Sequence, residues 1–299
     1  RHLERDWLLP MLTIVGAIVV VAAVLGGYSL EHGSFYKLFH PMPAEMLIIV
    51  GAGIGSSLIA APMSTLKSMI GQVLGSFKAK SRTPAEYTEY LMLLFELTKT
   101  AKANPLSLEP HVENPETSEI FKRYPRVMAN HHAIHFICDT LKVQISAAMN
   151  PYDLDDLMDT DMTATHEEEA LGPMTMGKMG DAMPGLGIVA AVLGVVITMG
   201  KLSEGKEAVG NAVGAALVGT FLGILLSYGF LEPMQRKMDS INNESGSPLK
   251  MIKACLVAFA KDCSPKVCVE FSRRIIPPTV RPSFEEVDKA TSSAGKAAA

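Results

Sequence analysis

Ala182-Met-Pro-Gly-Leu-Gly-Ile-Val-Ala-Ala-Val-Leu-Gly-Val-Val-Ile-Thr-Met-Gly200 holds no charged side chain and no histidine over 19 residues. As a helix rising about 1.5 Å per residue, it reaches across the roughly 30 Å hydrocarbon core of a bilayer. Three more runs share the property: Trp7–Leu30 (24 residues), Met46–Leu66 (21) and Ala208–Leu231 (24). The four form two pairs flanking a charged block, Lys67–Asp181. The predicted fold is an all-α membrane protein with four transmembrane helices, a helical domain at 67–181 and a polar C-terminal region at 232–299.

Charge orients the spans. Segment 31–45 carries one basic residue, Lys37, and segment 201–207 carries Lys201 and Lys206. The block 67–181 and the tail 232–299 carry eleven each. Basic residues mark cytoplasmic segments. The N-terminus, central domain and C-terminal region are therefore predicted to be cytoplasmic, with Lys67, Lys78, Lys80 and Arg82 following the second span. The first run reads as a span and not as a signal peptide, because no small-x-small cleavage site ends it and three further runs follow.

Small residues fill the runs: Gly51-Ala-Gly53-Ile-Gly55 in the second, Gly210-x-x-x-Gly214 and Gly219-x-x-x-Gly223 in the fourth. Close backbone approach drives association in lipid. Pro184 is read as opening the third span and Pro233 as closing the fourth, or else as a hinge pair at one membrane level. Thr220 is expected to hydrogen-bond a carbonyl one turn back.

The polar parts read as helical. Thr83-Pro84-x-Glu86 suggests a capping box at the head of a helix over 84–103. Residues 116–149 suggest further helices broken near Pro125, and 249–262 another amphipathic one. The acidic stretch Asp153–Glu169 reads as a solvated helix or connector, and the end beyond Ala290 as disordered.

Cys138, Cys255, Cys263 and Cys268 form no Cys-x-x-Cys pair, and they read as reduced and packed. His131, His132 and His135 lack the further ligand a metal site needs. No phosphate-binding loop, Gly-x-Ser-x-Gly or His-Glu-x-x-His occurs. No enzyme, cofactor or metal is predicted, and a net charge of −4 gives no sign of nucleic acid.

Longer strings carry a resemblance. They are Ser107-Leu-Glu109-Pro-His-Val-Glu-Asn114-Pro115 through Tyr124-Pro125; Gly180-Asp181-Ala-Met-Pro184 through Gly194; Val218-Gly-Thr220 through Glu232-Pro233; and Val269-Glu-Phe271 with Arg281-Pro-Ser-Phe284. With the two-span, block, two-span, tail layout, the chain resembles the MotA family of flagellar stator subunits from about Met11 to Asp288. The resemblance implies a ring of about five copies in the inner membrane around a MotB-like partner. That partner would supply an ion-carrying Asp, and the ring would push on the rotor protein FliG. It implies that Pro184, Pro233, Thr220 and Asp181 serve the ion pathway and its conformational coupling. Ala191 stands where sodium-driven relatives carry a threonine, which implies proton drive. Glu109 matches an acidic rotor-contacting residue. Its basic companion falls nearest Lys102, across a one-residue gap, with Lys99 next; lysine keeps the charge and loses the bidentate fork.

Two other readings stand beside it. An energising subunit like ExbB or TolQ would have three spans. An autonomous transporter would hold its own intramembrane ionisable site, and the four runs offer none. On the sequence, the ion carrier must therefore come from another chain.

Overall fold

The structure is a computed structural model that describes residues 5–79, 81–200, 203 and 205–297. Lys80 and Lys201 lie outside the described residues. The helices are α1 (Arg5–Leu30), α2 (Phe35–Phe39), α3 (Met42–Ala60), α4 (Met63–Ser76), α5 (Pro84–Ala103), α6 (Glu109–Glu113) and α7 (Pro125–Met128). There follow α8 (His131–Ala147), α9 (Pro151–Met199), α10 (Lys206–Leu226), α11 (Glu232–Ser245), α12 (Ser247–Ala260), α13 (Pro265–Ile275) and α14 (Phe284–Ala297). A π-helical turn, Ser227–Leu231, joins α10 to α11. Among the described residues the fold is all-α, and four helical stretches are long and apolar enough to cross a membrane.

Two compact units result. The first comprises residues 1–80 and 168–242, the second 81–167 and 243–299. Helix α9 gives residues to both.

In the first unit, α1 exposes Ile14, Ile18 and Val19, as a lipid-facing helix would. Helix α3 packs against α10 and the end of α9 through Ile49, Met183, Ala190 and Leu222. The uncharged run to Leu66 is not one helix. Ala61 turns extended (φ −129°, ψ 143°) because Pro62 follows it, and α4 starts anew. Pro184 does not open a helix either; both it and Pro173 lie inside the 49-residue α9. Nor does Pro233 close one: it sits in the first turn of α11, whose helix runs on to Ser245.

The second unit has its own core. Tyr87, Leu91, Leu94, Phe121, Ile137, Leu154, Met158, Ile252 and Cys255 bury together, drawn from α5, α8, the start of α9 and α12. Helix α5 spans Pro84–Ala103 as predicted, with the Thr83 hydroxyl accepting the Glu86 N–H at 3.3 Å. The expected disordered end is met instead by α14. A full capping box heads it: the Glu286 carboxylate accepts from Ser283 N–H at 2.7 Å, and Ser283 Oγ accepts from Glu286 N–H at 3.2 Å. Val287 and Thr291 are buried along it, and Lys266 pairs with Asp288 at 2.8 Å.

Candidate functional site: a glycine crossing between two proline-bearing helices

The residues that the resemblance assigns to an ion pathway lie in the first unit, where α9 and α10 run antiparallel in near contact. A Cβ at Gly187 would lie 2.8 Å from the Gly219 carbonyl oxygen, and one at Gly223 would lie 2.5 Å from that of Met183. A Cβ at Gly194 would lie 2.6 Å from that of Ala216. Each glycine is there because the facing backbone leaves no room for a side chain.

The register places the prolines. Gly187 meets Gly219 and Gly223, while Gly180 meets Leu231 and Glu232 and Gly177 meets Gln235. Pro184 therefore stands level with Gly223, one turn ahead of the π-turn, and Pro233 level with Gly177 to Gly180. The two prolines bracket the turn. They are offset by six residues of α9, about 9 Å at helical rise, and so do not share one level.

The interior prolines differ in how their lost hydrogen bonds are replaced. Pro173 cannot donate to the carbonyl of Glu169. That oxygen instead accepts from Gln72 Nε2 at 3.0 Å and Asn242 Nδ2 at 2.9 Å. Pro184 likewise frees the Gly180 carbonyl, and among the described residues no side chain takes it up. Pro233 brings no N–H to the helical ladder behind it, and there the backbone widens into the π-turn. The Ser227 hydroxyl in that turn is buried without a partner among the described residues.

Thr220 is half-buried beside Gly187. The bond expected to the carbonyl one turn back is absent among the described residues. Thr198 makes that bond, to Gly194 at 2.8 Å. The Thr220 hydroxyl is left available to another group. Ala191 is half-buried next to Ala190, which abuts Gly219, and Asp181 is exposed four residues beyond Gly177.

Glu45 is the group the uncharged runs hid. Counting charge-free stretches stopped at Met46, but α3 starts at Met42 and carries Glu45 in its first turn. It is 7% exposed, and its Oε2 is buried without a hydrogen-bond partner among the described residues. Pro41 ahead of α3 and Pro43 within it were the readable signal that the helix starts before the apolar run.

In the second unit, Lys102 is committed. Its Nζ donates to Asp262 Oδ1 and to the Asp262 carbonyl, both at 3.1 Å. Asp262 has φ +61°, which turns its carbonyl toward the lysine at the end of α12. Lys99 and Glu109 are exposed, and neither has an ion-pair partner among the described residues. The three are not brought into one cluster. Burial pushes the Cys138 thiol up to about 12 and the Cys268 thiol up to about 11, so both stay protonated at neutral pH.

Comparison with known proteins agrees with this architecture. The family model "Motility protein A N-terminal" matches residues 14–105, and that of the MotA/TolQ/ExbB proton channel family matches 129–249. Motility protein A of Escherichia coli is 37% identical over 93% of this chain and 94% of its own. Chemotaxis protein LafT of Vibrio parahaemolyticus is 33% identical over 93% and 98%. The structure of C. jejuni MotAB superposes with a TM-score of 0.72 at 18% identity, covering 91% of this chain and 98% of that one. The flagellar MotAB stator complex of Bacillus subtilis superposes at 0.69 and 21%, covering 89% and 96%. Identity above one third along nearly the whole length, on a fold with four candidate membrane helices, means that the chain belongs to the Motility protein A family of proton-channel proteins, multi-pass membrane proteins and not enzymes.

Proposed function

We propose that the chain is the ring-forming stator subunit of a flagellar motor in the inner membrane. Copies of it, five by the resemblance, surround a MotB-like partner, and together they conduct protons whose passage turns one set against the other. The central block and C-terminal region face the cytoplasm, where the second unit pushes on the rotor protein FliG. The observation that carries this reading is the 37% identity to Motility protein A over 93% of the chain.

The site supports the same reading. Pro184, Pro233 and the π-turn leave a stretch of the α9–α10 pair with incomplete backbone bonding, which is where a bundle bends most readily. Thr220 and Asp181 lie along that pair. The exposed Glu109 is the acidic contact to the rotor. Lys99 is the better basic companion, because Lys102 is held by Asp262. An energising role of the ExbB or TolQ kind is disfavoured by four candidate spans and by the match to the N-terminal motility model.

The test is complementation. The chain and its neighbouring gene product are expressed in a motile host lacking its own stators. Restored swimming, with co-purification of both proteins in a fixed ratio, is the expected result. A chain that reaches the membrane with its partner and leaves cells paralysed would sink the proposal.

A further inference from the structure

Within the α3–α10 contact, one carboxyl oxygen, Glu45 Oε2, has no hydrogen-bond partner among the described residues. Glu45 Oε2 points at the α10 backbone, where a Cβ on Gly219 would lie only 2.5 Å from it. Ala190 closes the same spot from α9, and Ile49, one turn along α3, is fully buried. Thr220, with its unused hydroxyl, is the next residue on α10. Of the described side chains, the titratable groups on the segments flanking this contact are Glu31, His32, Tyr36, Lys37, His40, Lys178, Asp181 and Lys206, and no hydrogen bond or ion pair joins the Glu45 carboxyl Oε2 to any of them. The segments 182–200 and 208–231 carry no Asp, Glu, Lys, Arg or His, and their one phenol is the exposed Tyr228.

An ionised carboxylate in such surroundings is costly unless something neutralises it. Three things could: a proton, a metal cation, or a donor from another chain. A hard cation needs about six oxygen ligands. Here no group of three His, Cys, Asp or Glu gathers among the described residues, and the walls are Gly, Ala, Ile and Leu. A proton needs only the carboxyl itself.

We propose that Glu45 is a proton-binding station of this chain, passing protons between water and an acidic group of the partner subunit. This rests on the channel function and orientation proposed above. The step balances simply. Hydronium gives one proton to the Glu45 carboxylate and leaves water; the neutral acid then gives that proton to a carboxylate of the partner and is restored. Gly219 lets the carboxyl lie against the α10 backbone.

The test uses the full chain co-expressed with its partner in cells lacking other stators, reading proton flux and swimming speed against external pH. Glu45→Gln keeps the shape and loses the acid. It is expected to co-purify with the partner and to lower proton flux at least tenfold. Glu45→Asp keeps the acid and withdraws it by one methylene. It is expected to conduct, with the external pH of half-maximal speed displaced from that of the unaltered chain. A Glu45→Gln complex with unaltered flux at every pH would overturn the proposal. Should that variant not assemble, a Glu45→Asp profile superimposable on the unaltered one would overturn it equally. If the unaltered chain itself conducts no protons, the channel reading falls; if it conducts and Glu45→Gln matches it, only the role of Glu45 falls.

Discussion

Glycine and charge decide most at the residue scale. Gly219 and Gly223 lie on one helix at equivalent spacing, yet they meet different neighbours. An added Cβ at Gly219 meets the end of a side chain, Glu45, and a methyl at 3.0 Å on Ala190; at Gly223 it meets the Met183 backbone oxygen at 2.5 Å. A side chain can swing away and a helix backbone cannot. Gly223→Ala should therefore destabilise the purified complex more than Gly219→Ala, by about 1–3 kcal/mol as overpacking typically costs, read as a lower melting temperature in detergent. Equal melting temperatures would show that the crossing is looser than its geometry. In the second unit, hydrogen bonds from Arg273 and Arg274 at 2.7–2.8 Å hold the Glu270 carboxyl down at about 2, from an ordinary 4.5. A depressed carboxylate contributes stability above its unfolded pKa and loses it as pH falls toward its folded one. The contribution is thus whole at neutral pH and fades between about 4.5 and about 2. Glu270→Gln should cost about 1–2 kcal/mol at pH 7, allowing for partial solvent screening, and almost nothing near pH 2, by chemical denaturation at each pH. Gly219 and Gly223 were legible in the sequence as a small-residue motif, while their α9 counterparts Gly187 and Gly194 were not. Which of them touched backbone was not, because that depends on the register of α9 against α10.

Elements show what proline spacing conceals. Read along the chain, Pro184 and Pro233 look like a start and a stop, because each borders an uncharged run. Helices do not end where charge begins: α9 continues through Pro184 from a start at Pro151, and α11 continues from Pro233 to Ser245. Pro173 is the internal control, since its orphaned carbonyl is taken by Gln72 and Asn242 while that of Pro184 has no such replacement. Pro173→Ala should leave motility intact, and Pro184→Ala should leave membrane insertion and partner binding intact while abolishing swimming. Swimming unaffected in Pro184→Ala would remove it from the coupling. The span of α5 was readable because Thr83 and Pro84 are local signals, although only the Thr83 half of the expected capping box forms among the described residues. The α14 helix was not, since its support comes from burying Val287 and Thr291 in a core built by distant segments.

For the whole molecule, the open issue is which ion drives it and which subunit carries that ion. Four uncharged runs argued that the carrier belongs to a partner, and that holds for the runs themselves. Counting them as the full membrane depth was the misstep, since Glu45 lies one residue beyond the second run yet within its helix. A charge-free window cannot register a carboxyl buried at a helix start; only the packing of α3 on α10 brings it into view. Ala191 bears on the ion. Sodium sheds its hydration shell only where several oxygens replace it, so a hydroxyl at this position would matter to a sodium path. A methyl group there offers no ligand, and a single hydroxyl such as that of Thr220 cannot make a cation cage by itself. A proton needs no cage, since one carboxyl or one water suffices to carry it. Swimming speed of complemented cells should therefore follow the proton gradient. It should fall severalfold when a protonophore collapses that gradient, and it should be unchanged when external sodium is replaced by potassium at fixed pH. Speed that instead rose and fell with sodium while the proton gradient was absent would place a cation site in the pathway, with ligands the partner subunit would have to provide.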